Sequence, residues 1–190
     1  MASFQHQLDE LQRLLADFRS QSAVVDAVAA RLADGLLAGQ TLFTCGNGGS
    51  AADALHLAEE LVGRYRSDRR PLPALCLNAD VTAITCIAND FGYEAVFARQ
   101  LVALARPGDM LVAFSTSGRS PNILNALAAA RTNGVLTVAL LGHDGGPARD
   151  RADYPIIVPS GNSARIQELH GLVLHAICEE VEGRFGAAGA

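Results

Sequence analysis

The sequence predicts a three-layer α/β sandwich on a five-stranded parallel sheet, preceded by an N-terminal helical hairpin. Two observations carry this reading. Five short, mostly apolar runs recur along the chain: Thr41–Cys45, Ala74–Leu77, Met110–Phe114, Leu136–Leu141 and Tyr154–Val158. The segments between them are usually of helix length, the pattern of parallel strands buried on both faces and joined by right-handed crossovers. A length of 190 residues with 49% hydrophobic content suits one domain with an ample core.

The elements follow in order. Leu8, Leu11, Leu14, Leu15 and Phe18 mark one apolar helical stripe, and Val24, Val25, Val28, Ala29, Leu32 and Leu36 mark a second. These form the expected hairpin, residues 1–39. After Gly39 the first strand leads into Gly46-Asn47-Gly48-Gly49-Ser50 and a helix from about Ala51 to Val62. A long closing helix is expected from Ser163 to about Phe185, with 186–190 as a disordered Gly/Ala tail. No repeat, linker or low-complexity segment divides the chain, so 1–190 reads as a single domain.

Composition excludes some chemistry. All 15 basic side chains are arginine, and a chain without lysine makes no Schiff base and carries no P-loop lysine. A net charge of −5 argues against nucleic acid as an electrostatic partner. Cys45, Cys76, Cys86 and Cys178 form no CxxC pair, and three lie in apolar runs, as buried thiols in a reducing compartment would. The amphipathic start is not a signal peptide, and no segment has the ~20 apolar residues a membrane span needs. A cytoplasmic protein with no membrane partner is expected.

In an open parallel sheet, ligands bind beyond the carboxyl ends of the strands. Two loops occupy such positions. Gly46–Ser50 is either a tight βα turn or a ligand loop, its glycines allowing close backbone approach and Ser50 a cap and a hydroxyl. Ser115-Thr116-Ser117-Gly118-Arg119-Ser120 brings four hydroxyls to a helix start, more than capping needs, and makes a neutral phosphate cradle. Arg119 either assists or points to solvent.

His56 and Glu60 stand four apart on one helix face, as two metal ligands or as a solvated His–carboxylate pair. Glu59 falls on another face. Gln167 and His175 are eight apart, ~12 Å of rise and ~80° of turn on a helix. If both serve one centre, a natural arrangement has one of them reach a neighbouring protomer's site. His170 is expected at the surface or an interface, and His6 and His143 carry no pattern.

The segments CGNGGSAADALH, ELVGRYR, LPAL, Ala88–Tyr93, STSGRS, Gly142–Gly146 and RIQELH, in this order and over almost the whole chain, resemble the bacterial phosphoheptose isomerases of the sugar-isomerase (SIS) superfamily. The resemblance implies a homotetramer with sites at subunit interfaces. The implied reaction interconverts sedoheptulose 7-phosphate and D-glycero-D-manno-heptose 7-phosphate through an enediol. It implies one zinc per subunit held by His56, Glu60, Gln167 and His175, with Glu60 and His175 as the acid/base pair. It also implies substrate contacts from Asn47, Gly48, Gly49, Ser50, Glu60, Asn89, Asp90, Ser115, Thr116, Ser117, Ser120 and Gln167.

Three positions depart from the family. Leu55 replaces a polar residue or Met, Arg119 replaces Asn, and Ala164 stands where some members have Asp. The rival reading is a non-catalytic module of the superfamily that binds a sugar phosphate or a protein such as a replication initiator. One such paralogue lacks the second catalytic histidine, which this chain keeps as His175. A third reading is an isomerase of another ketose phosphate, in cell-envelope heptose supply or an antibiotic-sugar pathway.

Overall fold

The computed structural model describes residues 3–188. Helix α1 (Phe4–Phe18) starts at Ser3, whose Oγ accepts the His6 amide at 3.2 Å. A single 3-10 turn, Arg19–Gln21, joins it to α2 (Ser22–Leu37) without leaving right-handed helical angles. Then come β1 (Leu42–Gly46), α3 (Gly49–Val62), β2 (Ala74–Cys76), α4 (Val81–Phe91), a 3-10 turn at Tyr93–Ala95 and α5 (Ala98–Leu104). The chain continues through β3 (Met110–Ser115), α6 (Pro121–Thr132), β4 (Leu136–Gly142), a 3-10 turn at Gly146–Ala148, β5 (Tyr154–Val158) and α7 (Ser163–Ala188). The expected tail at 186–190 is thus helical to Ala188, and the last two residues lie outside the described ones.

The five strands are all parallel, in the order β2-β1-β3-β4-β5. Alternating side chains explain why the runs are apolar throughout. Val112 and Phe114 face a core shared with α1, α2, α3 and α7. Leu111 and Ala113 face a second core with α5 and α6. The sheet is buried on both sides, which is what makes three layers. Phe114 is fully buried, and removing such a ring costs about 3–5 kcal/mol.

The strand order reverses between β1 and β3, which places a crevice beyond their carboxyl ends. Gly46 pairs with Phe114 there, so the loops after β1 and β3 begin side by side. Fold and topology therefore assign the ligand crevice before any side chain is considered. Cys45, Cys76 and Cys178 are buried and Cys86 is exposed, all as free thiols. Among the described residues, no helix is long and apolar enough to cross a membrane.

His170 corrects its expected surface placement. It is fully buried on the sheet side of α7, its Nε2–H donating to the Leu141 carbonyl at 3.1 Å and its ring 6.1 Å from that of Phe114. Burial pushes the imidazole from the ordinary 6.5 down to about 4. Between those values the unfolded chain takes up a proton that the native state refuses. Stability therefore falls as pH drops from about 6.5 towards 4, by on the order of 3 kcal/mol from this one group. Urea midpoints measured across that window should slope less in His170→Leu than in the parent; equal slopes would remove His170 as the cause.

Candidate functional site

The seam between α3 and α7 holds the titratable cluster. Gly49, Asp53, His56 and Glu60 recur at helical spacing along one stripe of α3. The imidazole Nε2 of His56 lies 3.2 Å from Glu60 Oε1. His175, from α7, sets its ring 5.3 Å from that of His56 and nearly perpendicular to it. One ligand atom each from His56, Glu60 and His175 falls within 4.8 Å of the other two. Two imidazoles and a carboxylate so gathered fit a borderline metal ion with N/O ligation.

Gln167 packs at the other end of the same stripe. A Cβ on Gly49 would lie 2.4 Å from Gln167 Nε2, so the amide rests directly on that glycine. Helices α3 and α7 run side by side in the same direction, with Gln167 opposite Gly49 and His175 opposite His56 and Glu60. The eight-residue spacing on α7 is matched by the stripe on α3. His175 therefore reaches the His56–Glu60 pair within one chain, with no neighbouring protomer required.

The surroundings fix this seam. Arg69 donates from Nη2 to the Glu60 carbonyl at 2.7 Å and from Nη1 to that of Leu61 at 2.9 Å, closing the end of α3. Tyr65 stacks on His175 with ring centres 5.9 Å apart. Arg66 lies over Tyr65 and pairs with Glu179 at 2.5 Å, while Glu182 accepts the Arg66 and Ser67 amides. The ELVGRYR segment is thus the strap that binds α3 to α7.

Sequence reasoning passed over Asp53. It is half-buried, and its Oδ2 is buried without a hydrogen-bond partner. Desolvation raises its carboxyl above the usual range, partly offset by His56 one turn away. The legible signal was its position three residues before His56 on the same helix face.

The first loop is shaped by its glycines. Gly48 has φ +56° and is the N-cap of α3, a conformation a side chain would resist. Ser50 is not the cap. It lies inside the first turn and is 2% exposed. Asn47 bonds to Asn122 and Tyr93 across the crevice.

In the second loop, Ser115 Oγ accepts the Gly118 amide at 3.1 Å and Ser117 Oγ accepts that of Arg119 at 3.2 Å. Ser120 occupies the N-cap position of α6 but makes no capping bond with its side chain. Its hydroxyl is therefore available beside the α6 amides. Arg119 pairs with Asp144 at 2.7 Å, bracing this loop on the Gly142–Gly146 turn rather than pointing freely to solvent. Asn89 and Asp90 are exposed on the last turn of α4, hydrogen-bonded to each other at 2.7 Å. Ala88–Phe91 of the Ala88–Tyr93 segment is thus a helix end, stopped by Gly92.

With this geometry in view, comparison with known proteins gives a consistent result. The SIS domain family matches residues 6–142. The phosphoheptose isomerase of Roseiflexus sp. (strain RS-1) is 49% identical over 163 residues, covering 86% of this chain and 83% of that protein. That of Trichlorobacter lovleyi is 47% identical over 182 residues, 93% of each. The structure of a phosphoheptose isomerase from Francisella tularensis superposes with a TM-score of 0.90 at 31% identity, over 93% of this chain and 95% of that one.

Proposed function

The chain belongs to the phosphoheptose isomerases of the SIS-domain family, and from that premise we propose that it interconverts sedoheptulose 7-phosphate and D-glycero-D-manno-heptose 7-phosphate. The observation that carries the reading is the His56, Glu60 and His175 cluster on the α3–α7 seam. Isomerisation takes a proton from C1 of the ketose, passes electrons into a C1–C2 double bond and returns a proton to C2. It needs one group to accept carbon-bound hydrogen and another to serve the oxygens, and Glu60 and His175 divide these roles.

The gathered His56, Glu60 and His175 fit one zinc per subunit, while Gln167, the fourth ligand the resemblance implies, rests against Gly49 further along the seam. When bound, the metal supplies Lewis-acid polarisation of a substrate oxygen. The serine loop holds the phosphate through hydroxyls and α6 amides, and Asn89, Asp90 and the Gly48–Gly49 backbone face the sugar. A non-catalytic module would have no use for the gathered cluster, so the binding-only alternative is not favoured.

Exposed apolar surface supports the homotetramer. No residue of α4 is buried in the single chain, although Val81 is 68% and Phe91 50% exposed. The net charge of −5 supports an enzyme that does not hold nucleic acid electrostatically, and we place it in the cytoplasm; among the described residues no helix is long and apolar enough to cross a membrane. Purified protein incubated with sedoheptulose 7-phosphate should form the aldose phosphate, and should lose at least about tenfold of its rate after chelation and regain it with zinc. Turnover of other ketose phosphates alone would correct the substrate, and no turnover of any would overturn the enzyme reading.

The serine loop makes its own prediction. Ser120→Ala should raise KM several-fold with an unchanged melting temperature. Ser115→Ala should raise KM and also cost about 1 kcal/mol, because its Oγ closes the loop. Unchanged KM in both variants would remove the phosphate from this loop.

A further inference from the structure

Asn47 from the loop after β1, Asn122 from the first turn of α6 and Tyr93 from the turn after α4 meet in one hydrogen-bonded knot. Asn47 Nδ2 donates to Asn122 Oδ1 at 2.9 Å, and Asn122 Nδ2 returns a bond to Asn47 Oδ1 at 2.8 Å. Tyr93 Oη donates to the same Asn47 Oδ1 at 3.1 Å. Asn122 is 2% exposed, and its Oδ1 also accepts the Ile123 amide at 3.0 Å. Asn47 belongs to the loop after β1, Asn122 follows Ser120 by two residues, and Tyr93 follows Asp90 by three.

The counting of donors and acceptors is restrictive. The Asn47 carbonyl oxygen has two lone pairs, and both are taken. One of its two amide hydrogens is also taken, so a single N–H remains. A reciprocal amide pair between two loops fixes their separation in a way a lone hydrogen bond does not, since neither partner can rotate without breaking two bonds. The buried partner makes the pair costly to lose, because a desolvated amide would be left unsatisfied.

We infer that Asn47, Asn122 and Tyr93 are positioning residues that lock the Gly46–Ser50 loop to the Ser115–Ser120 loop and to the end of α4. Asn47 acts through this knot, and the backbone it holds meets the ligand. The inference rests on reading the two loops as the holders of a phosphorylated sugar. It assigns ligand affinity to a buried asparagine that belongs neither to the expected substrate contacts nor to the His56, Glu60 and His175 cluster. The catalytic cluster lies roughly two and a half to three and a half helical turns along α3 from Asn47, so binding and turnover should respond separately.

The test compares Asn122→Ala, Tyr93→Phe, Asn47→Ala and the Asn47→Ala/Asn122→Ala double variant in the full chain. KM for sedoheptulose 7-phosphate and Kd for inorganic phosphate should both rise about tenfold in Asn122→Ala and about threefold in Tyr93→Phe, with kcat within about threefold. The double variant should match the single ones, because either change removes the same pair. A merely structural role would lower the melting temperature and leave KM and Kd alone, which overturns the inference. Additive effects in the double variant overturn it too, since Asn47 would then touch the sugar directly. Tyr93→Phe deletes one surface hydroxyl and keeps the test decisive if Asn122→Ala does not fold. Wild-type protein that binds phosphate but turns over no heptose phosphate fails the proposed reaction alone, and the Kd comparison still decides the knot.

Discussion

Glu60→Gln and His175→Ala each lose isomerase turnover by on the order of 100-fold or more, while folding and assembling as the parent does. The two side chains sit where a substitution disturbs chemistry rather than packing. Glu60 is 15% exposed, and its backbone is held by Arg69 through the carbonyl, a contact indifferent to the side chain. Glutamine keeps its size and hydrogen-bonding reach and loses the negative charge that takes a proton and helps hold a metal ion. His175 is exposed at the seam, so removing its ring leaves no core cavity. The loss should appear in kcat and in kcat/KM alike, since proton transfer belongs to the transition state. Turnover within tenfold of the parent in either variant removes that residue from the acid/base pair.

The next largest effect is expected from a residue that performs no chemistry. Gly118 has φ +61°, and a Cβ there would stand 1.9 Å from the Gly145 carbonyl oxygen. The obstacle is backbone, so no side-chain rotation relieves it. The Gly118 carbonyl also accepts the Ala148 amide at 3.1 Å, tying the serine loop to the Gly142–Gly146 turn. Gly118→Ala combines a left-handed conformation, ~1–2 kcal/mol, with an overpacked contact of ~1–3 kcal/mol. A stability loss of about 3 kcal/mol by urea unfolding, with KM raised at least tenfold, is the expected result. A variant within about 0.5 kcal/mol of the parent and with normal KM would show that the two loops are not held in contact.

Much of this architecture was legible in the sequence because a doubly covered parallel strand leaves an unmistakable mark. Leu111, Val112, Ala113 and Phe114 are apolar in succession since alternate residues face different cores. What escaped depends on partners remote in sequence. His170 reads as a surface histidine on α7 until the sheet supplies the Leu141 carbonyl that accepts from its Nε2. The spacing of Gln167 and His175 looks too wide for one centre, and the two do lie apart along the seam, Gln167 against Gly49 and His175 beside His56 and Glu60.

The candidate site divides in the same way. The His56–Glu60 pair is local and was visible as a four-residue spacing, but its third member arrives from more than a hundred residues away. The knot at Asn47 was invisible, because asparagine at a turn has an ordinary local explanation and nothing in the sequence pairs it with Asn122. Ser50 shows the reverse. Its position suggested a cap, and the helix begins two residues earlier than expected, at Gly49, with Gly48 in that role.

The central claim is proton transfer at adjacent carbons by Glu60 and His175 on a seven-carbon ketose phosphate. Proton NMR of sedoheptulose 7-phosphate incubated with the enzyme in deuterium oxide tests it most directly. The open cluster should exchange its proton with solvent, so the aldose phosphate should carry deuterium at C2, and Glu60→Gln should give neither product nor label. Absence of the aldose, or an aldose with its C2 hydrogen wholly retained from the ketose, would contradict the account.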